Sequence, residues 1–357
     1  MNRVYIKKGR DEAIKRFHPW IFSGAIAKIV GEPYEGEVVE VFSYDEQFLA
    51  YGHFQKGSIT VRILSYNRDE RPENGAMTLA FWVDRPSKAK SMRTVLGLPE
   101  SKTNCYRLVH GEGDSLPGLI IDIYGKTAVI QAHSAGMFLS LEVITEALKV
   151  CFGEDLASIY DKSEGTAPFK AGLDLGDKYL WGKPSENESV VLENGNKFSV
   201  NWKEGQKTGF FLDQRDNRAL VGEYAGGKNV LNMFCYTGGF SCYAMRGGAA
   251  CVHSVDSSSK AIDLVNKNME MNFPGDKRHE AFAQDAFKFL DNMSDDYDLI
   301  ILDPPAFAKH RDALRNALQG YKRLNAKAFE KIKSGGILFT FSCSQAVNKD
   351  QFRLAVF

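Results

Sequence analysis

The stretch Asp298-Leu-Ile-Ile-Leu-Asp-Pro-Pro-Ala-Phe307 reads as an apolar strand that ends on a carboxylate, Asp303. Two prolines follow and forbid the strand from continuing, because proline has no N–H for a ladder. A second apolar run, Ile337–Phe341, leads into Phe341-Ser-Cys-Ser344 and ends on a thiol, Cys343. In an open α/β sheet the ligand crevice lies at the carboxyl ends of the strands. A carboxylate and a thiol would both open onto it, a pairing that suits covalent chemistry on a nucleobase. By residue type alone Cys343 also fits a small core residue, as most free cysteines are.

A cofactor site is expected nearby. Val230-Leu-Asn-Met-Phe-Cys-Tyr-Thr-Gly-Gly-Phe-Ser241 reads as a strand, a glycine-bearing turn and a helix start. Gly238 and Gly239 would let the backbone approach a ligand without a Cβ in the way. Asn232, Phe234, Tyr236 and Thr237 belong to the same expected site. The next strand ends at Asp256, whose carboxylate can accept both ribose hydroxyls of an adenosine. A third strand is followed by Gln284-Asp285-Ala286, which puts Asp285 where an adenine amino group is read, and Asp303 continues the row. The turn lacks the GxGxxG that a pyrophosphate wants at a helix N-terminus. A cofactor without phosphates is favoured, and S-adenosylmethionine fits. Phe211, Asp213 and Arg215 precede the first parallel strand; they either cover the methionine end of the cofactor or pack and pair as ordinary residues.

These residues need a scaffold, and three segments separate by pattern. Residues 1–75 carry short β-type runs (Glu37–Phe42, Phe48–Tyr51, Ile59–Leu64) punctuated by Gly31, Gly36, Gly52 and Gly57, as in a small all-β barrel. The polar stretch Asn67–Gly75 reads as a linker. Residues 76–190 form an α+β module: a helix over Met77–Leu96 that starts at or kinks at Pro86, strands at Tyr106–Val109, Gly118–Tyr124 and Ala128–Ala132, a helix Phe138–Cys151 and a strand Ser158–Asp161. Residues 191–357 alternate strand and helix, the pattern of a parallel doubly wound α/β sheet. Its strands are expected at Asn229–Met233, Cys251–Asp256, Glu280–Ala283, Tyr297–Asp303 and Gly336–Phe341.

Composition narrows the class. The chain has 357 residues, 44% of them hydrophobic, enough for two or three domains with real cores. Its 45 basic residues balance 45 acidic ones, so net charge signals no nucleic-acid partner. The start has no apolar signal region and no run approaches a membrane span. Six scattered cysteines without a CxxC pair predict a reduced, cytoplasmic protein with no disulfide and no metal site.

Several longer motifs carry a specific resemblance. They are His18-Pro-Trp-Ile-Phe-Ser-Gly24, Arg107-Leu-Val-His-Gly-Glu-Gly-Asp-Ser-Leu-Pro-Gly118, Gly205-Gln-Lys-Thr-Gly-Phe-Phe-Leu-Asp-Gln-Arg-Asp-Asn-Arg218, Asn232-Met-Phe-Cys-Tyr-Thr-Gly-Gly-Phe240, Leu302-Asp-Pro-Pro-Ala-Phe307 and Ser342-Cys-Ser344. Over nearly the whole chain they resemble class I S-adenosylmethionine-dependent methyltransferases, and within these the RlmI-like large-subunit rRNA cytosine-5 methyltransferases. The resemblance implies an N-terminal PUA domain, a central α+β domain, a C-terminal Rossmann-like methyltransferase domain and a homodimer. The family's catalytic domain continues beyond the Cys343 strand, so the chain is expected to be truncated at its end. With the resemblance, Cys343 is the expected nucleophile, its pKa lowered by positive potential. Asp303 is placed at the pyrimidine edge as a proton donor to ring nitrogen 3. Phe307 either stacks on a flipped base or plugs the core. Ala306 follows Pro305 where some relatives carry a second cysteine, which leaves Cys235 and Cys242 as structural residues.

Local charge points to RNA despite the neutral total. Residues 1–30 hold Lys7, Lys8, Arg10 and Arg16, with His18, Trp20 and Phe22 interleaved; Lys309 and Arg311 directly follow the Asp303 loop. Both runs suit phosphate contacts. The leading expectation is 5-methylcytosine formation in large-subunit rRNA. Its rivals are a methyltransferase acting on a guanine nitrogen, a non-catalytic rRNA-binding assembly factor and, last, a nicotinamide oxidoreductase.

Overall fold

The structure, a computed structural model, describes residues 1–168, 172–184, 188–293, 296–308 and 310–357, with the side chains of Glu188 and Arg311 outside the description. The described chain divides into two compact units, one of residues 1–192 with 200–212, the other of residues 193–199 with 213–357.

The first unit begins with β1 (Arg3–Ile6), α1 (Glu12–Lys15), β2 (Trp20–Phe22), β3 (Ile26–Val30), β4 (Val38–Phe42), β5 (Phe48–Phe54) and β6 (Ile59–Ser65). They form one six-stranded sheet in the order β2-β6-β5-β4-β1-β3 around Val4, Ile6, Ile21, Val39, Val41 and Val61. The three strands β1, β2 and β3 are absent from the sequence reading. Each is three to five residues long, and β3 is exposed over all but its first position, so none shows a clear apolar alternation.

Next come α2 (Leu79–Val95), β7 (Cys105–His110), β8 (Leu119–Tyr124), β9 (Thr127–Ala132), α3 (Ala135–Leu139), α4 (Leu141–Phe152), β10 (Ser158–Asp161) and β11 (Lys178–Trp181). The last five strands pair as β11-β10-β9-β8-β7. Helix α2 does not start at Pro86. Thr78 caps it by accepting the Phe81 N–H, and Pro86 is carried inside the helix on its buried face with Phe81, Trp82 and Ala89. Tertiary burial of that face outweighs the lost helical hydrogen bond. One core joins Val38, Tyr51 and Leu64 of the first sheet to Trp82, Leu108, Ile121 and Ile144, so the stretch expected to link two domains does not divide them into separate units.

The hairpin β12 (Glu188–Glu193) and β13 (Asn196–Asn201) leads to the second unit. There α5 (Arg215–Tyr224), β14 (Asn229–Met233), α6 (Gly239–Arg246), β15 (Cys251–Asp256), α7 (Ser259–Asn272), β16 (His279–Ala283), α8 (Ala286–Asn292), β17 (Leu299–Leu302), α9 (Leu314–Lys331), β18 (Ile337–Thr340) and α10 (Lys349–Val356) follow in turn. The five strands are all parallel, in the order β16-β15-β14-β17-β18. This is the doubly wound arrangement, and the order reverses between β14 and β17. No helix among the described residues is long and apolar enough to cross a membrane.

One residue of the first unit reports on pH. His53 is buried beside Trp82, with ring centroids 6.3 Å apart, and a Cβ on Gly136 would fall 2.1 Å from its ring. Burial first, and the Arg62 charge second, lower its pKa from 6.5 to about 3. The folded state therefore keeps His53 neutral where the unfolded chain takes up a proton. The stability it supports is complete above pH 6.5 and is lost as pH falls from 6.5 towards 3. Urea titrations should show this unit losing about 1.4 kcal/mol per pH unit across that window, and His53→Phe should flatten the slope.

Candidate active site

The site is built on the reversal of strand order. The β14 residue Met233 pairs with Leu302 of β17, and Leu302 pairs in turn with Thr340 of β18. The next residues of the three strands, Phe234, Asp303 and Phe341, therefore emerge side by side at the carboxyl end. All four residues of β17 are buried, which a continuous apolar run with neighbours on both sides requires. Pro304 and Pro305 then end the pairing.

Asp303 is half-buried, and its Oδ2 accepts a long hydrogen bond, 3.5 Å, from Gln214 Nε2. Gln214 is itself held by the Asn217 amide, which donates to its Oε1 at 2.6 Å. Cys343 is exposed, and its Sγ lies 3.7 Å from the Pro304 carbonyl oxygen. The thiol thus touches the loop that carries Asp303. The remaining cysteines are buried or half-buried. Burial pushes the Cys235 and Cys251 thiols up and the Cys242 thiol to about 12, so none of the three offers a thiolate near neutral pH. Phe307 packs its ring 4.7 Å from that of Tyr321, over Gly320, where a Cβ would meet it at 3.0 Å.

The turn after β14 is held in an uncommon backbone shape. Phe234, Tyr236 and Gly238 have φ of 58°, 47° and 76°. Such left-handed residues persist only where their surroundings over-determine them. Here the Cys235 N–H donates to Val255 O at 3.1 Å, the Tyr236 N–H to Asp256 Oδ2 at 3.0 Å and the Gly238 N–H to Cys235 O at 2.8 Å. A Cβ on Gly238 would meet Val265 at 3.1 Å and one on Gly239 would meet Arg218 at 2.9 Å, so packing by itself also calls for glycine at both positions. Asn232 is also enclosed: it is buried, and its Nδ2 donates to Ser241 Oγ at 2.8 Å. Thr237 is buried too, with its carbonyl accepting from Asn268, while Phe234 and Tyr236 remain half-buried.

Asp256 accepts from the Tyr236 and Ser258 N–H groups, one on each oxygen, and is half-exposed. Each carboxylate oxygen retains a lone pair for a hydroxyl. Asp285 is exposed and caps α8 by accepting the Lys288 N–H at 3.0 Å. The turn itself contains no lysine or arginine. Three carboxylates at the ends of β15, β16 and β17 would repel a pyrophosphate. They suit ribose hydroxyls, an amino group and a positive centre instead.

Arg215 Nε lies 3.5 Å from Glu193 Oε2, and Phe211 belongs to the first unit, where Lys207 Nζ sits 4.4 Å over its ring. Glu193 was missed by sequence reasoning. It is fully buried, and Arg218 (3% exposed) clamps it with Nε at 2.8 Å and a second guanidinium nitrogen at 2.7 Å. Tyr243 adds a hydrogen bond at 3.0 Å, and burial together with the Glu193 charge raises its pKa. Only the helical spacing of Arg218 behind Arg215 hinted at an inward-facing cation.

Residues 170–355 match the family described as S-adenosylmethionine-dependent methyltransferase, and residues 4–66 match the PUA-like domain. This chain belongs to the S-adenosylmethionine-dependent methyltransferases. It is 38% identical over 358 residues to a protein named ribosomal RNA large subunit methyltransferase I from Aeromonas hydrophila subsp. hydrophila, covering 99% of this chain and 88% of that one. The protein of the same name from Vibrio parahaemolyticus serotype O3:K6 is 39% identical over 356 residues, covering 98% and 87%. Among solved structures, a protein from Streptococcus mutans described as a SAM-dependent methyltransferase aligns with a TM-score of 0.80 at 22% identity, covering 100% of this chain and 89% of that one. A methyltransferase complexed with SAH aligns equally well, at 0.80 and 23%, covering 100% and 90%. The cofactor of this methyltransferase is therefore S-adenosylmethionine, in keeping with the phosphate-free carboxylate row.

On the barrel of the methyltransferase, Lys7, Lys8, Arg10 and Arg16 are exposed, and Lys7 Nζ donates to Gly24 O at 2.9 Å. Trp20 is half-buried, its indole N–H donating to Glu112 Oε1 at 2.8 Å. Lys309 and the side chain of Arg311 lie outside the described residues. Farther along the same basic run, Lys327 pairs with Asp291 and Lys333 with Asp298, so part of that charge is already compensated.

Glu193→Ala would leave the Arg218 guanidinium buried without its partner. Denaturant unfolding of that variant should show a loss of about 3–5 kcal/mol, while Arg3→Ala, which breaks an exposed pair with Glu40, should leave the unfolding midpoint close to wild type.

Proposed function

We propose that this methyltransferase forms 5-methylcytosine in large-subunit rRNA, with Cys343 as the nucleophile. The observation that carries the reading is the exposed Cys343 thiol 3.7 Å from the carbonyl of Pro304, the residue that follows Asp303. The relatives named ribosomal RNA large subunit methyltransferase I support the substrate class.

Carbon 5 of cytosine is a poor nucleophile. The Cys343 thiolate adds to carbon 6 while Asp303, protonated, donates to ring nitrogen 3, so electron density builds at carbon 5. Bound S-adenosylmethionine supplies the methyl group that carbon 5 then takes. A base removes the carbon-5 proton, its bonding pair restores the carbon 5–carbon 6 double bond as the carbon–sulfur bond breaks, Cys343 leaves as thiolate and ring nitrogen 3 returns its proton to Asp303. Asp256 and Asp285 hold the adenosine, with Phe234, Tyr236, Thr237, Gly238 and Gly239 shaping the turn beside it. Phe211 and Arg215 are assigned to the methionine end. Phe307, packed on Tyr321, serves as the floor of the loop in this reading. Lys8, Arg10 and Arg16 meet phosphates and Trp20 stacks at the edge of the same patch; Lys309 and Arg311, which follow the catalytic loop in the chain, are assigned to phosphates as well. The protein is proposed to work as a homodimer in the cytoplasm.

Digested large-subunit rRNA from cells lacking the protein should lack one 5-methylcytosine by mass spectrometry. Wild type should restore it, and Cys343→Ala should not. Loss of a methylguanine instead, restored equally by Cys343→Ala, would replace this reading with nitrogen methylation.

A further inference from the structure

The two catalytic loops come from different strands, and one buried hydroxyl joins them. Tyr321 of α9 is fully buried, on the face that also buries Ala317, Leu324, Asn325 and Ala328. Its ring is gripped by Phe307 at 4.7 Å and by Phe352 at 5.0 Å. Ser342 Oγ donates to the Tyr321 hydroxyl at 2.9 Å. The Tyr321 hydroxyl is 2.8 Å from Ser344 Oγ, which also accepts the Ala308 N–H at 3.2 Å. With Ser342 donating to Tyr321, the tyrosine proton is free to go to Ser344. The chain of bonds therefore runs from Ser342 through Tyr321 and Ser344 to Ala308. Its ends flank Cys343 on one loop and close the Pro304–Ala308 loop on the other.

We infer that Tyr321 is a positioning residue that holds the Asp303 loop and the Cys343 loop together, so that thiol and carboxylate meet the same base. The inference deepens the cytosine-5 reading and rests on it. The Cys343 thiol itself is exposed. The neighbours on either side of Cys343 are fixed, through Tyr321. Ordinary packing of α9 would require the ring but not the hydroxyl. A buried hydroxyl with two serine partners is costly to leave unmade, and its loss would let the loops move independently.

The test uses the full chain, S-adenosylmethionine and large-subunit rRNA transcribed either with cytidine or with 5-fluorocytidine. Fluorine at carbon 5 cannot be removed as a proton, so an attacking thiolate stays bonded to carbon 6 and the adduct survives denaturation. Tyr321→Phe keeps the ring and removes the hydroxyl; Ser344→Ala breaks the same chain from the other side. Each should lower kcat and the rate of adduct formation together by up to about 100-fold, the scale of a 1 Å misplacement. KM for both substrates should stay near wild type. The double variant should be no slower than the slower single one, because both cut one chain. If Tyr321→Phe does not fold, Ser344→Ala carries the comparison alone. An unchanged kcat in the single variants, multiplicative losses in the double, or losses that appear in KM alone would overturn the positioning role. A wild type that forms no adduct, with an active Cys343→Ala, would overturn the covalent reading itself and the positioning role with it.

Discussion

Strand β17 has to stop, and the active face follows from where it stops. Its four residues are buried between β14 and β18, so it carries no polar group until Asp303. Pro304 and Pro305 then withhold the N–H groups that pairing would need. Because β17 lies beside β14, where the strand order reverses, the helices leaving the two strands do not cover this edge from the same side. A carboxylate that would be intolerable one residue earlier becomes available there. The same register brings out Phe234 on one side and Phe341, two residues before Cys343, on the other.

Around that point the protein spends its polar groups on holding backbone. Asp256 fixes the turn after β14 through the Tyr236 N–H and the start of the next helix through the Ser258 N–H. Asp285 caps α8. Glu193 and Arg218 neutralise one another out of solvent, and Arg218 fills the space that Gly239 leaves. A turn with left-handed Phe234 and Tyr236 costs about 1–3 kcal/mol per strained residue. The Tyr236 N–H to Asp256 bond and the Cys235 N–H to Val255 bond across it hold that shape.

The first unit follows a different logic. Two sheets share one apolar core through Tyr51, Leu64, Trp82 and Leu108. A Cβ on Gly136 would overlap His53, which makes close approach at that point depend on glycine. The barrel and the module after it thus belong to one compact unit, although the polar stretch Asn67–Gly75 between them looks like a spacer.

Much of the second unit was legible in the chain. Its five parallel strands follow from apolar runs, and Asn229–Met233 and Cys251–Asp256 were read with their observed ends. Asp256, Asp303 and Cys343 were read from the ends of the same runs, and Asp285 from the turn after the third strand. The short strands β1, β2 and β3 were not legible, since edge and half-exposed strands of three to five residues carry little period. Periodicity and breakers are local, and they determined the α/β class, the strand ends and the candidate thiol and carboxylate. Partnership is not local. Glu193 meets Arg218 across 25 positions and Tyr321 meets Ser344 across 23. Which buried polar groups satisfy each other was decided only when the packed chain excluded water and brought distant positions together.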